Sequence, residues 1–163
     1  MIFCGYPCVG KSSVVKEFNK RIAGMPAIDL ESSLFSVDGV RDENWYKVYV
    51  NIAKNFDDQG YIVFCSSHAK IRSYMDEQNI EYVNVYPGVG LKSKWCDKAV
   101  YRLKETGLGK DRLAMNRILD WYEKDIKELA SHDKTLELTN SDYSLYKSVL
   151  EYIMSDKDKI EVC

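Results

Sequence analysis

Short apolar runs alternate with longer amphipathic ones along this chain. Residues 2–4, 27–30, 61–65, 82–86 and 135–139 are nearly continuous in apolar, β-branched and aromatic side chains. Runs of that length and composition predict strands buried on both faces. Between them the apolar positions recur at helical spacing. Val14, Val15, Phe18 and Ile22 make one such stripe over residues 12–23, and Trp45, Val48, Tyr49, Ile52 and Phe56 make another. The longest stripe is Met115, Ile118, Tyr122, Ile126 and Leu129, with Arg112, Asp120, Glu123, Lys127 and Glu128 off it. A last helix is predicted from Asp142 to about Met154, with Tyr146, Val149, Leu150 and Ile153 inward and Ser141 near its cap. The charged tail, 155–163, is expected to fray. Such stripes are read as core packing. Strands alternating with helices imply βαβ units, hence a parallel sheet covered on both faces, in a single domain spanning residues 1–163.

The first strand runs into Gly5-Tyr6-Pro7-Cys8-Val9-Gly10-Lys11-Ser12, a full match to G-x-x-x-x-G-K-[ST]. Gly5 and Gly10 allow backbone angles and close approach that a β-carbon would forbid. Successive amides, with Ser13 following, then face inward to cradle a β-phosphate at the positive end of the next helix. Lys11 would reach the β- and γ-phosphates, and the Ser12 hydroxyl would ligate Mg²⁺. The expected ligand is ATP with Mg²⁺, bound by Gly5, Tyr6, Pro7, Cys8, Val9, Gly10, Lys11, Ser12 and Ser13.

Bulk properties narrow the partners. The 163 residues, 45% hydrophobic and 29% charged, suit a soluble globular chain. A net charge of −2 gives no global field for nucleic acid. No apolar run nears the ~20 residues of a membrane helix, and no signal-peptide pattern precedes the first strand. Five cysteines, Cys4, Cys8, Cys65, Cys96 and Cys163, without a CxxC pair, argue against a disulfide framework or a zinc ribbon. Cys4 and Cys65 read as small buried hydrophobes, and a reducing cytoplasm is the expected compartment.

A GTPase would carry an N-K-x-D motif, and a large ATPase engine a strand ending in Asp-Glu; both are absent. The chain resembles the nucleoside-monophosphate kinase-like family of small P-loop kinases, which includes shikimate- and gluconate-kinase relatives. It looks especially like phage and bacterial members labelled adenylate-kinase-like. The resemblance runs through the glycine loop, Asp29-Leu30-Glu31-Ser32-Ser33, Ser66-Ser67-His68, Tyr86-Pro87 and Leu91-Lys92. It implies an α/β three-layer P-loop NTPase fold with a five-stranded parallel sheet in the order 2-3-1-4-5. It also implies transfer of the ATP γ-phosphoryl group to a small acceptor.

In the shikimate-kinase branch a D-x-D after the second strand lies beside Mg²⁺ and the acceptor. Asp29 and Glu31 stand there as D-x-E, with Ser32 or Ser33 as further acceptor contacts. No acid follows the third strand, which moves the Mg²⁺ task towards Asp29. His68 is a candidate substrate contact or a helix cap. Arg72 is the candidate grip on an acceptor phosphate. Lys94, Lys98 and Arg102, spaced i, i+4, i+8, share one helix face. The family implies a lid there, at about 88–112, with Arg102 closing on the triphosphate and residues 106–109 as hinge or tip. Asn140 and Ser141 stand where relatives hold adenine.

The leading reading is a nucleoside- or deoxynucleoside-monophosphate kinase. The alternatives are a kinase for a hydroxyl on a nucleoside, sugar or modified DNA base, the only reading with a nucleic-acid partner, and a non-catalytic ATP-binding regulatory module.

Overall fold

The computed structural model describes residues 1–17, 21–37, 40–140 and 142–160. These residues form β1 (Ile2–Gly5), α1 (Lys11–Glu17), β2 (Arg21–Ile22), β3 (Met25–Asp29), α2 (Trp45–Asp58), β4 (Ile62–Ser66), α3 (Ala69–Glu77), β5 (Val83–Pro87), α4 (Lys92–Thr106), α5 (Gly109–Ala130), β6 (Thr135–Leu138) and α6 (Leu145–Ile160). Short 3₁₀ turns occupy Ser32–Phe35 and Val89–Leu91. The six strands make one sheet in the order β2-β3-β4-β1-β5-β6. All pairings are parallel except β2 with β3. Without β2, the order is the 2-3-1-4-5 expected from the resemblance.

β2 is the departure. Ile22 was expected on a helical stripe, but it pairs with Met25 across a two-residue turn, Ala23-Gly24, in which both residues have positive φ. That turn matches the right-handed twist of paired strands, so a tight hairpin forms where apolar spacing alone suggested helix. α1 accordingly ends at Glu17, and Phe18 lies outside the described residues.

The sheet is buried on both faces because neighbouring residues of each inner strand point in opposite directions. Phe3, Ile62 and Phe64 join Val14, Trp95, Ile118, Tyr122 and Val149 on one side. Ile2, Cys4, Val63 and Cys65 join Tyr49, Val50, Ala53, Ile71 and Met75 on the other. Cys4 and Cys65 are thus buried hydrophobes, as expected.

Some helix faces differ in detail. Val48 points outward, and Val50 and Ala53 take inward positions on α2. α6 begins at Leu145, later than expected, and continues through residue 160, so most of the expected frayed tail is helical. Ser141 and residues 161–163 lie outside the described residues. No helix is long and apolar enough to cross a membrane among the described residues.

Candidate active site

Five parallel strands end on the same side of the sheet, at Gly5, Asp29, Ser66, Pro87 and Leu138. β1 lies between β4 and β5, and the chain crosses from one side of it to the other after α3. A crevice outside such carboxyl ends, at the point where strand order reverses, is where open α/β sheets hold ligands. The glycine loop, residues 5–12, sits there.

The loop needs its two glycines for different reasons, close packing at Gly5 and a left-handed backbone at Gly10. A β-carbon on Gly5 would lie 2.9 Å from Val9 Cγ2 and 3.0 Å from Lys11 Cδ, and Gly10 has φ +99°. Cys8 also takes positive φ, 66°, which costs a residue bearing a β-carbon roughly 1–2 kcal/mol. The surroundings hold this backbone. Tyr6 N–H donates to Val85 O at 2.8 Å. The Trp95 indole N–H donates to Pro7 O at 2.9 Å, and the Tyr143 hydroxyl to Val9 O at 2.7 Å.

Two residues expected in the cradle are engaged elsewhere. The Tyr6 ring is buried edge-on to Tyr122 and its amide is committed to β5, while the Val9 side chain is core and its N–H faces Tyr6 O at 3.4 Å. Pro7 has no N–H to give. The amides of Cys8, Gly10, Lys11, Ser12 and Ser13 make none of the described backbone hydrogen bonds, so they are the available donors.

Lys11 curls back across the loop, Nζ donating to Gly5 O at 3.1 Å. Burial draws its pKa down, Asp29 opposes this, and the charge of Arg102 adds to the lowering. The Ser12 hydroxyl donates to Asp29 Oδ2 at 2.5 Å, joining the start of α1 to the end of β3. One hydroxyl and one carboxylate meet at the mouth of an amide-lined loop. That donor set suits a hard cation, which takes oxygen ligands and completes its shell from water and phosphate. Among the described residues no three His, Cys, Asp or Glu side chains converge to hold a metal by themselves.

Beyond Asp29 the chain builds a second, mixed-polarity region. Tyr49 ties its floor together, donating to Leu30 O at 2.6 Å and accepting from Ser66 N–H at 2.9 Å. Glu31 accepts from Ser33 Oγ and from Lys110 Nζ, each at 2.9 Å. Burial alone would raise the Glu31 pKa, but these two donors outweigh it and hold the carboxyl below its usual range. Ser32 Oγ lies 3.4 Å from the Arg41 guanidinium. Arg41 lies 4.2 Å over the Trp45 ring and 3.5 Å from His68 Nε2. His68 stands at the start of α3 without capping it through its side chain, its ring edge-on to Trp45. Burial lowers its pKa to about 4, helped by the charges of Arg41, Arg117, Lys11 and Arg72. The imidazole is therefore neutral at neutral pH, with Arg41 beside it. Leu34, Phe35, Val37, Val40 and Val48, with Asp42 beside them, line a mainly apolar groove that shares Trp45 with this cluster.

Arg72 differs from expectation. Its guanidinium pairs with Glu128 on α5 and donates from Nε to Ser67 O at 3.1 Å. A guanidinium tied to a carboxylate and a carbonyl braces α3 against α5.

The expected lid is also not uniform. The start of α4 is fixed to the sheet through buried Trp95 and Ala99, and Lys92 pairs with Glu123 at 3.0 Å. Tyr122 donates to Gly88 O at 2.8 Å. Lys98 lies 4.4 Å and 4.5 Å from the Trp95 and Tyr143 ring centroids. Trp95 reaches the loop from the body of α4 through its bond to Pro7 O, and the α4–α5 tip brings charge to it. There Arg102 pairs with Asp111 at 2.7 Å, acts on Cys8 and Lys11, and is followed by Lys110 reaching Glu31. Asn140 Oδ1 accepts from Asp142 N–H at 3.1 Å.

Sequence reasoning passed over Asp111 and Asp125, which are 3% and 6% exposed on α5. Asp125 holds Arg117, with Nε at 2.6 Å from Oδ2, and Thr106 Oγ1 joins Arg102 on Asp111 at 2.5 Å. The signal was present, since both carboxylates fall on the apolar line of Ile118, Tyr122 and Leu129, where a charge must find a partner. Arg41, the candidate next after Arg72 for an acceptor phosphate, is marked in the sequence as the only Lys or Arg between Arg21 and Lys47. Nothing local in the sequence marks Tyr143.

No protein-family model matches the chain, and no curated protein matches it significantly. Among solved structures the fold is similar to that of shikimate kinase from Bacteroides thetaiotaomicron. The two are 14% identical, each is covered over 96% of its length, and the TM-score is 0.58. At that identity the likeness is one of fold, a mostly parallel sheet flanked by helices.

Proposed function

We propose that this chain is an ATP-dependent phosphotransferase that works with Mg²⁺ and acts on a small anionic acceptor, with a nucleoside monophosphate as the leading acceptor class. The observation that carries the reading is the Ser12–Asp29 hydrogen bond at the mouth of the glycine loop, with Lys11 lying across that loop. Mg²⁺ would be held by Ser12, directly or through water by Asp29, and by the phosphates. When bound, it would neutralise charge across the β- and γ-oxygens. The loop amides donate to the phosphates, and Lys11 adds a charge on the β- and γ-oxygens. Arg102 supplies positive charge from the α4–α5 tip, which acts as a small lid. Asp29 orients the Ser12 hydroxyl and its neighbouring water. Phosphoryl transfer needs little else from a protein beyond position and electrostatics.

The acceptor would lie in the Arg41–His68–Ser32 region. Arg41 offers a guanidinium with no carboxylate partner among the described residues, stacked on Trp45 and beside a neutral imidazole. The groove of Leu34, Phe35, Val37 and Val40 adjoins it, so a phosphate and a flat base could be held side by side. A nucleoside monophosphate has that combination. Its phosphate oxygen attacks the γ-phosphorus, the bond to the bridging oxygen breaks, and ADP leaves.

A second reading takes a hydroxyl acceptor on a nucleoside, sugar or modified DNA base. It is favoured by Asp29 and Glu31 together at the end of β3, where a carboxylate could take the hydroxyl proton. The test is transfer of label from γ-labelled ATP to a panel of ribo- and deoxynucleoside monophosphates, nucleosides, sugars and DNA. Label on monophosphates supports the first reading, and label on hydroxyl compounds alone moves the assignment to the second. ATP binding without transfer to any acceptor points to a regulatory module.

A further inference from the structure

We infer that Trp95 and Tyr143 are positioning residues for triphosphate binding, each holding one peptide plane of the glycine loop so that its N–H faces the phosphate site. The inference rests on the proposed reading of that loop. A trans peptide is planar, with C=O and N–H pointing in opposite directions, so a bond that fixes the carbonyl also aims the amide. Pro7 O belongs to the peptide that carries Cys8 N–H, and Trp95 Nε1–H holds it at 2.9 Å. Val9 O belongs to the peptide that carries Gly10 N–H, and the Tyr143 hydroxyl holds it at 2.7 Å. Neither carbonyl accepts a backbone hydrogen bond among the described residues, and both amides are available donors.

The loop needs such restraint. Cys8 and Gly10 both sit at positive φ, and a chain with a β-carbon at Cys8 gains by relaxing out of that conformation. The two donors come from different elements, α4 and the segment before α6, and their rings stack at 5.6 Å and 19°. Lys98 Nζ lies within 4.5 Å of both centroids, which ties the rings into one clip outside the loop. A hydrogen bond at the carbonyl also polarises the amide, strengthening the donor on its far side. Amides aimed at the β-phosphate serve ground state and transition state alike, so the clip acts on affinity more than on turnover.

Tyr143→Phe tests this with little disturbance, because it keeps the ring and removes one hydroxyl. On the full chain, titration calorimetry with Mg²⁺·ATP and with inorganic tripolyphosphate should show both probes bound about tenfold more weakly, the size of one lost hydrogen bond. The melting temperature without ligand should hold within a few degrees, kcat should stay within about twofold, and KM for ATP should rise in step with Kd. The Gly10 amide resonance, which moves on adding tripolyphosphate to the unaltered chain, should move less in the variant. Trp95→Phe should act the same way, and if that buried substitution prevents folding, Tyr143→Phe still decides. Both probes bound within twofold of the unaltered chain would overturn the inference. So would a loss of ligand-free stability as large as the loss of affinity, because the bond would then only support the fold. Failure of the unaltered chain to bind either probe is a separate outcome, and it would overturn the phosphate-loop reading itself.

Discussion

The Ser12 hydroxyl donates to the Asp29 carboxylate at 2.5 Å, across an interval of 17 residues, and so joins the glycine loop to the end of the neighbouring β3–β4 pair. The contact exists because β3 and β1 both pair with β4 in parallel register, Asp29 opposite Phe64 and Gly5 opposite Ser66. Strand order therefore brings a carboxylate to the hydroxyl without any local sequence motif linking them.

Asp29→Asn keeps the size of the side chain and a hydrogen-bond acceptor for Ser12 but removes the charge. If the carboxylate organises Mg²⁺ in the transition state, kcat should fall by about 100-fold or more while ATP affinity changes by less than about threefold. Steady-state kinetics beside calorimetric titration separates the two, and an unchanged kcat would move the role to Glu31.

Arg41 and Arg72 should respond in opposite ways. Arg41→Ala removes a guanidinium that faces Ser32 and His68, and should lower kcat/KM for a monophosphate acceptor by ~2–4 kcal/mol with a small effect on stability. Arg72→Ala breaks the bond to Ser67 O and the pair with Glu128, and should lower unfolding free energy by ~1–2 kcal/mol with acceptor kinetics within about threefold. Denaturant titration and acceptor kinetics on both variants give the comparison. The reverse pattern would restore Arg72 as the acceptor contact.

His68 makes stability depend on pH in a defined direction. Its folded pKa is about 4, below the ordinary value of 6.5, so the unfolded chain binds this proton first. Stability from this group is complete above pH 6.5, is lost as pH falls towards 4, and levels off below that. Arg41, from the loop after β3, lies 3.5 Å from His68 Nε2, and the more distant charges of Arg117 on α5, Lys11 on α1 and Arg72 on α3 act in the same direction. His68→Gln should therefore lose less stability than the unaltered chain between pH 7.5 and pH 5, measured by urea unfolding at each pH. Equal losses would show that the imidazole titrates normally.

Most of the sheet was legible because buried parallel strands carry nearly continuous apolar runs, which residues 2–4, 61–65 and, apart from Asn84, 82–86 do. β2 was not, since Ile22 fits a helical stripe and its true setting depends on positive φ at Ala23, which no side-chain pattern announces. Among site residues, the glycine loop could be read because its chemistry is local, with each fixed residue needed by its neighbours. The pairing of Arg72 with Glu128 could not be read, because the two lie 56 residues apart on different helices. The same holds for the Arg41 stack on Trp45, where the sequence offers an isolated cation and only the fold supplies its surroundings.

The central claim is tested most directly by following the γ-phosphoryl group itself, with the unaltered chain and Lys11→Ala assayed side by side against the acceptor panel in the presence of Mg²⁺. Among the described residues the one hydrogen bond of the Lys11 ammonium is to Gly5 O, so its removal should leave the fold and melting temperature nearly unchanged. The account predicts labelled acceptor from the unaltered chain and a rate at least about 100-fold lower from Lys11→Ala, which corresponds to ~2.7 kcal/mol of barrier. Transfer retained within about tenfold by Lys11→Ala, or no transfer by the unaltered chain to any acceptor, would contradict it.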